Sequence, residues 1–96
     1  MKARFSSAAR GDLTEAANEY EARQPGVGAR FRAQVRRSVD RIIAYPQIGA
    51  VIEGDIREVR VSGFPYGILY AIDGETLRIL ALAHDAREPG WWGSRL

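Results

Sequence analysis

The chain has no cysteine and one histidine, and Lys2 is the only lysine among fourteen basic residues. The missing cysteine excludes a disulfide scaffold, thiolate metal sites and cysteine nucleophile chemistry. With His84 as the single imidazole, a closed metal site lacks ligands, and neither a phosphate loop nor a serine–histidine–aspartate set is present. No metal or cofactor is therefore expected. No apolar run approaches the roughly 20 residues a membrane span needs. The opening MKARFSSAARGDL lacks the apolar core of a signal peptide. A soluble, cytoplasmic protein with no membrane contact is expected. Internal repeats and low-complexity tracts are also missing.

What is there is ordinary globular composition: 96 residues, 46% hydrophobic and 27% charged, with a formal net charge of +2. That length fits a single domain, 1–96, burying roughly two-thirds of its unfolded surface. The cations are almost all arginine, a side chain suited to bidentate recognition of carboxylate or phosphate. The balance permits a nucleic-acid or acidic-protein partner without demanding one.

Periodicity divides the chain in two. Lys2 to Ser6 reads as an edge strand leading into a helix, with Ser6 or Ser7 as N-cap. Over Ala8 to Arg23, Ala9, Leu13, Ala16, Ala17 and Tyr20 fall at helical spacing, and the alanines suit close approach of a second helix. Gln24-Pro25-Gly26 breaks that helix. Phe31, Val35, Val39 and Ile42 then predict a second one over Gly28 to Ala44. Beyond Tyr45-Pro46-Gln47-Ile48-Gly49 the period changes to that of strands: Ile56 to Val61, Tyr66 to Ile72, and Thr76 to His84, with Asp73-Gly74 as a hairpin turn. The last run is nearly all apolar, as in a strand covered on both faces. The predicted architecture is α+β: an N-terminal strand and a helical hairpin packed on one face of an antiparallel sheet, in the order β-α-α-β-β-β, with a short C-terminal segment from Pro89.

Several segments, taken in order, resemble the RelE/ParE superfamily of bacterial type II toxins. They are Ala9-x-x-Asp12-Leu13-x-Glu15-Ala16, Gln24-Pro25-Gly26-x-Gly28-x-x-Phe31, Tyr45-Pro46-x-x-Gly49, Ile56-Arg57, Val61-x-x-Phe64-Pro65-Tyr66-x-Ile68-x-Tyr70, and Ala83-His84-x-x-Arg87-x-Pro89-Gly90-Trp91-Trp92-x-x-Arg95. The set spans nearly the whole chain; its specificity lies in the order rather than in any one segment. The resemblance implies a growth-inhibiting toxin neutralised by a cognate antitoxin. It also implies one of two targets. ParE-like members act on DNA gyrase, whereas RelE-like members cut mRNA on the ribosome.

RNA cleavage needs a base for the 2′-hydroxyl, an acid for the leaving oxygen and cations for the phosphorane, without a metal. The candidate set for a nuclease is Arg57, Tyr70, His84 and Arg87, with Arg60 as a further phosphate contact. Each has a structural alternative. His84 ends a strand, where it can cap backbone or pack on an aromatic such as Trp91. Arg57 and Arg60 have opposite parity, so one of them faces the helices, and either can pair with Glu58 or Asp55. Tyr66 and Tyr70 share parity and suit half-buried sheet positions. One of Trp91 and Trp92 is expected to anchor the terminal segment, leaving the other for contact. The second helix offers Arg30, Arg37 and Arg41 as a partner-binding face, joined by Trp92 and Arg95. That face suits nucleic acid, an acidic antitoxin tail, or plain solvent with Glu15, Glu19 and Glu21 nearby to neutralise it. Because the acid–base set is thin, the gyrase-directed reading is preferred to the ribosome-dependent nuclease. An inactive member that only binds antitoxin is the third reading.

Overall fold

The computed structural model describes residues 1–95, and its elements lie within a residue or two of the periodicities where both give one. They run β1 (Lys2–Phe5), α1 (Ser7–Arg23), α2 (Val27–Ala44), β2 (Ala50–Glu53), β3 (Ile56–Arg60), β4 (Tyr66–Asp73), β5 (Thr76–His84) and a terminal 3-10 turn (Trp91–Arg95). Ser6 caps α1, its hydroxyl accepting the Ala9 amide at 3.0 Å. Between the helices the Glu21 carboxylate accepts the amides of Gly26 (2.9 and 3.1 Å) and Gly28 (3.0 Å), satisfying orphan donors at the start of α2. Gly28 also lets the hairpin close. A Cβ there would lie 2.5 Å from the Ala17 carbonyl oxygen.

The sheet has five strands in the order β1-β5-β4-β3-β2. Two features go beyond the β-α-α-β-β-β reading. The sheet is mixed, because β1 pairs in parallel with β5, Lys2 opposite Thr76 through Phe5 opposite Ile79. The intervening helices carry the chain back across one face, which delivers β1 and β5 in the same direction. The second feature is β2, which forms the other edge and pairs antiparallel with β3. All four of its residues are exposed, so it carries no burial pattern for periodicity to detect.

The main core lies between helices and sheet. Phe31, Val35, Val39 and Ile42 of α2 meet Ala9, Ala16 and Ala17 of α1 over Ile68, Tyr70, Leu77, Ile79 and Leu82. Tyr20, Phe31, Phe64 and Tyr66 form an edge-on aromatic group at one end, with ring centres 5.0–5.2 Å apart for Phe31–Phe64, Phe31–Tyr66, Tyr20–Phe64 and Tyr20–Phe31. A smaller core occupies the far face: Ile56, Leu69, Leu80 and Ala81 under Trp92. Strand β5 serves both, hence its unbroken apolar run. Leu69 pairs with Ala81 but Tyr70 with Ile79, leaving Leu80 as an extra residue. This bulge puts Leu80 and Ala81 on the far face together and returns Leu82 to the helix side. Among the described residues no helix is long and apolar enough to cross a membrane.

Candidate functional site

The structure disperses the candidate residues over four places. The first is the turn after α2. Tyr70 is fully buried. Its hydroxyl donates to the Pro46 carbonyl at 2.8 Å and accepts the Gly49 amide at 2.9 Å. Arg57 turns to the same loop, donating to the carbonyls of Gly49 at 2.7 Å and Gln47 at 3.1 Å. Gly49 is required where they converge, since a Cβ would meet the Tyr70 hydroxyl at 2.7 Å and the Arg57 Cβ at 3.0 Å. Phenol and guanidinium thus fix the Tyr45–Gly49 turn. The Tyr-Pro-x-x-Gly pattern marks that turn in the sequence, but its two partners lie more than one strand away.

The second place is the end of β5. Because of the bulge His84 lies on the helix side, its ring edge-on to Tyr66 at 5.0 Å between centres. Its Nδ1 accepts the Ala86 amide at 3.0 Å and its carbonyl accepts the Arg87 amide, so the residue caps the turn that leaves the strand. The aromatic it packs on is Tyr66 rather than Trp91. A small hollow of about 80 Å³ beside it is lined by Asp12, Glu15, Glu19, Tyr66, His84 and Arg87. Burial pushes the Tyr66 phenol above its ordinary range, and the carboxylates of Glu19, Glu15 and Asp12 add to the effect. The phenol is therefore held protonated, a donor rather than a base.

The third place is the far face of the sheet. There the terminal turn folds over Leu69 and Ala83 and leaves an open groove of about 470 Å³. Trp92 is the anchor, only 8% exposed. Half-buried Trp91 carries two guanidinium groups over its ring, Arg87 at 3.8 Å and Arg95 at 4.6 Å from the ring centre. The spacing 87, 91, 95 is the one sign of this arrangement in the sequence. Arg95 also pairs with Asp12 at 2.6 and 3.1 Å and reaches the Leu80 carbonyl at 3.3 Å. Donating to the Asp12 carboxylate raises the guanidinium's pKa further. Asp12 in turn accepts the Leu82 amide at 3.0 Å. Together with Ser6 these side chains satisfy the edge of β5 that β1 is too short to cover. On the opposite rim Arg60 is paired with Asp85 at 2.6 Å and lies 3.8 Å from Glu58.

The fourth place is the outer face of α2, where Arg30, Arg37 and Arg41 are exposed, with Arg32 and Arg36 on the neighbouring flank. The acidic residues of α1 do not neutralise them. Asp12 is held by Arg95, Glu21 caps α2, and Glu15 and Glu19 border the hollow at His84. Among the described residues no arginine of α2 enters an ion pair. Sequence reasoning missed a further surface. Tyr45, Ile48 and Val51, exposed by 67%, 47% and 57%, lie beside the open edge of β2.

A helical hairpin laid on one face of a mixed sheet defines a small α+β domain. A solved structure described as a chromosomal ParDE toxin–antitoxin system from P. aeruginosa has the same fold. The TM-score is 0.76 at 16% identity, over 88% of this chain and 95% of that one. Among curated proteins no sequence relative matches. Residues 3–89 match the family described as ParE toxin of type II toxin-antitoxin system, parDE, and the chain belongs to that family.

Proposed function

We propose that this toxin inhibits growth by binding DNA gyrase in the cytoplasm, and that a cognate antitoxin neutralises it. The observation that carries the choice of a binding mechanism is the use made of Arg57 and Tyr70. The Tyr70 hydroxyl makes both its bonds to backbone groups of one turn and is closed to any substrate, and Arg57 commits its Nη1 to two carbonyls of the same turn. His84 and Arg87 are left at the end of β5, apart from the Arg57 and Tyr70 that would complete the nuclease set. The hollow they share with Tyr66 is bordered by Asp12, Glu15 and Glu19, whose carboxylates oppose a phosphate.

The antitoxin reading draws on the family and on the neighbour described as a ParDE system. A short antitoxin with a DNA-binding N-terminal part and a tail that orders on the toxin suits the open edge of β2. Backbone groups there are free to accept an added strand, and Tyr45, Ile48 and Val51 offer apolar area beside it.

The test is to induce the chain without antitoxin and pulse-label DNA and protein synthesis over the following minutes. Early arrest of DNA synthesis with translation intact is the expected result. Early arrest of translation would overturn it in favour of ribosome-dependent mRNA cleavage, with His84→Ala and Arg87→Ala as the next variants. Unchanged synthesis of both from soluble protein would leave an antitoxin binder without toxicity.

A further inference from the structure

Charge in this molecule is segregated. Helix α2 carries five of the fourteen basic residues and, of the twelve acidic ones, only Asp40. It therefore holds a net +4 while the rest of the chain nets −2. At 3.6 residues per turn, spacings of seven and four place Arg30, Arg37 and Arg41 in one row, and a spacing of four places Arg32 and Arg36 in another. Between the rows run Ala29, Ala33, Asp40 and Ala44, all exposed. The opposite side is buried by Phe31, Val35 and Ile42. The arginine rows are thus fixed on a rigid element, ~16 Å from Arg30 to Arg41 at about 1.5 Å per residue.

We infer that the outer face of α2 is a docking surface for the phosphate backbone of duplex DNA. Two observations favour DNA over an acidic protein. Protein interfaces centre on large apolar or aromatic anchors and deplete charge at their core. Among the described residues no large apolar side chain is exposed between Val27 and Ala44, Tyr45 standing at the C-cap beyond the arginine rows, and the ridge between the arginines is mostly alanine. The shape also fits. A helix about 10–12 Å across with cations on both flanks matches a major groove about 12 Å wide walled by phosphates. Asp40 is the one group on this face that opposes the ligand. Backbone contacts of this kind position a protein without reading sequence.

The test is fluorescence anisotropy of the whole protein with short labelled duplexes of unrelated sequence, titrated at several salt concentrations. Similar affinity for each duplex is expected. If four phosphates are contacted, affinity falls on the order of 100-fold between about 50 and 200 mM salt. Replacing Arg30, Arg37 and Arg41 together by alanine should weaken binding at least about tenfold and flatten the log–log salt slope by about 2.7. The triple lysine variant should retain binding, and Asp40→Asn should tighten it a few-fold, about the effect of one added charge. Duplex RNA should bind more weakly, because its major groove is too narrow to admit a helix.

The proposal fails if no duplex binds at low salt, or if the alanine variant binds like the parent. It also fails if RNA binds as well as DNA, or if a polyglutamate peptide of equal charge displaces the DNA. Should the alanine variant not fold, the response to Asp40→Asn decides. None of these results bears on which synthesis the toxin arrests, so this surface and the gyrase reading stand or fall separately.

Discussion

Tyr70 shows how far a single residue can be judged from sequence. Its parity with Tyr66 predicts a sheet position, and it has one, but the phenol's role depends on a loop more than twenty residues away. Removing that oxygen strands the Pro46 carbonyl and the Gly49 amide, both part of a buried or half-buried pair of bonds. Tyr70→Phe is therefore expected to lower stability by about 1–3 kcal/mol, read as a drop in the urea midpoint. Growth inhibition should decline only as far as the folded fraction does. A catalytic phenol would give the reverse pattern, with stability spared and RNA cleavage gone. Arg57 teaches the same lesson. A strand arginine looks like a phosphate ligand until the two carbonyls that hold its Nη1 are seen. Partners that distant leave no mark in local spacing, which is why the candidate set was legible as residues and not as roles.

At the level of elements, the buried stripe of α2, the alanine face of α1 and the apolar run of β5 were all legible, because each repeats with the period of its own backbone. Strand β2 was not, since its pairing rests on backbone hydrogen bonds that no side-chain pattern reports. The parallel pairing of β1 was equally hidden, because direction is set by the path of the helices and not by the four residues of the strand. The hairpin closes through one position that periodicity treats as neutral. With the Ala17 carbonyl 2.5 Å from where a methyl group would sit, Gly28→Ala must push α1 and α2 apart. The expected cost is about 1–3 kcal/mol despite alanine's better helix propensity, and thermal melts followed at 222 nm would measure it. An unchanged or raised melting temperature would mean that the helices have room to separate without loss.

Over the whole molecule, helices and sheet meet at the aromatic group of Tyr20, Phe31, Phe64 and Tyr66, and this gives the fold an alkaline limit. Burial raises both phenols above the ordinary value of about 10. Their neutral forms are favoured on folding, so this contribution is complete below about pH 10 and is lost as pH climbs through the folded-state values. The urea midpoint should hold up to about pH 10 and fall as pH rises beyond it, and a Tyr20→Phe, Tyr66→Phe double variant should flatten the fall. A parent protein with a pH-independent midpoint above about pH 10 would contradict the assignment.

The strand order carries one more consequence, in time rather than in space. Residues 2–5 pair with residues 76–79, and β5 supplies apolar side chains to both cores. A chain emerging from the ribosome can form the helical hairpin early, but its first strand waits without a partner until most of the remainder has been made. Contacts that span so much sequence slow folding and prolong the life of an open chain. The newborn toxin is thus exposed to proteases, and to any partner that seizes extended segments, through nearly all of its synthesis.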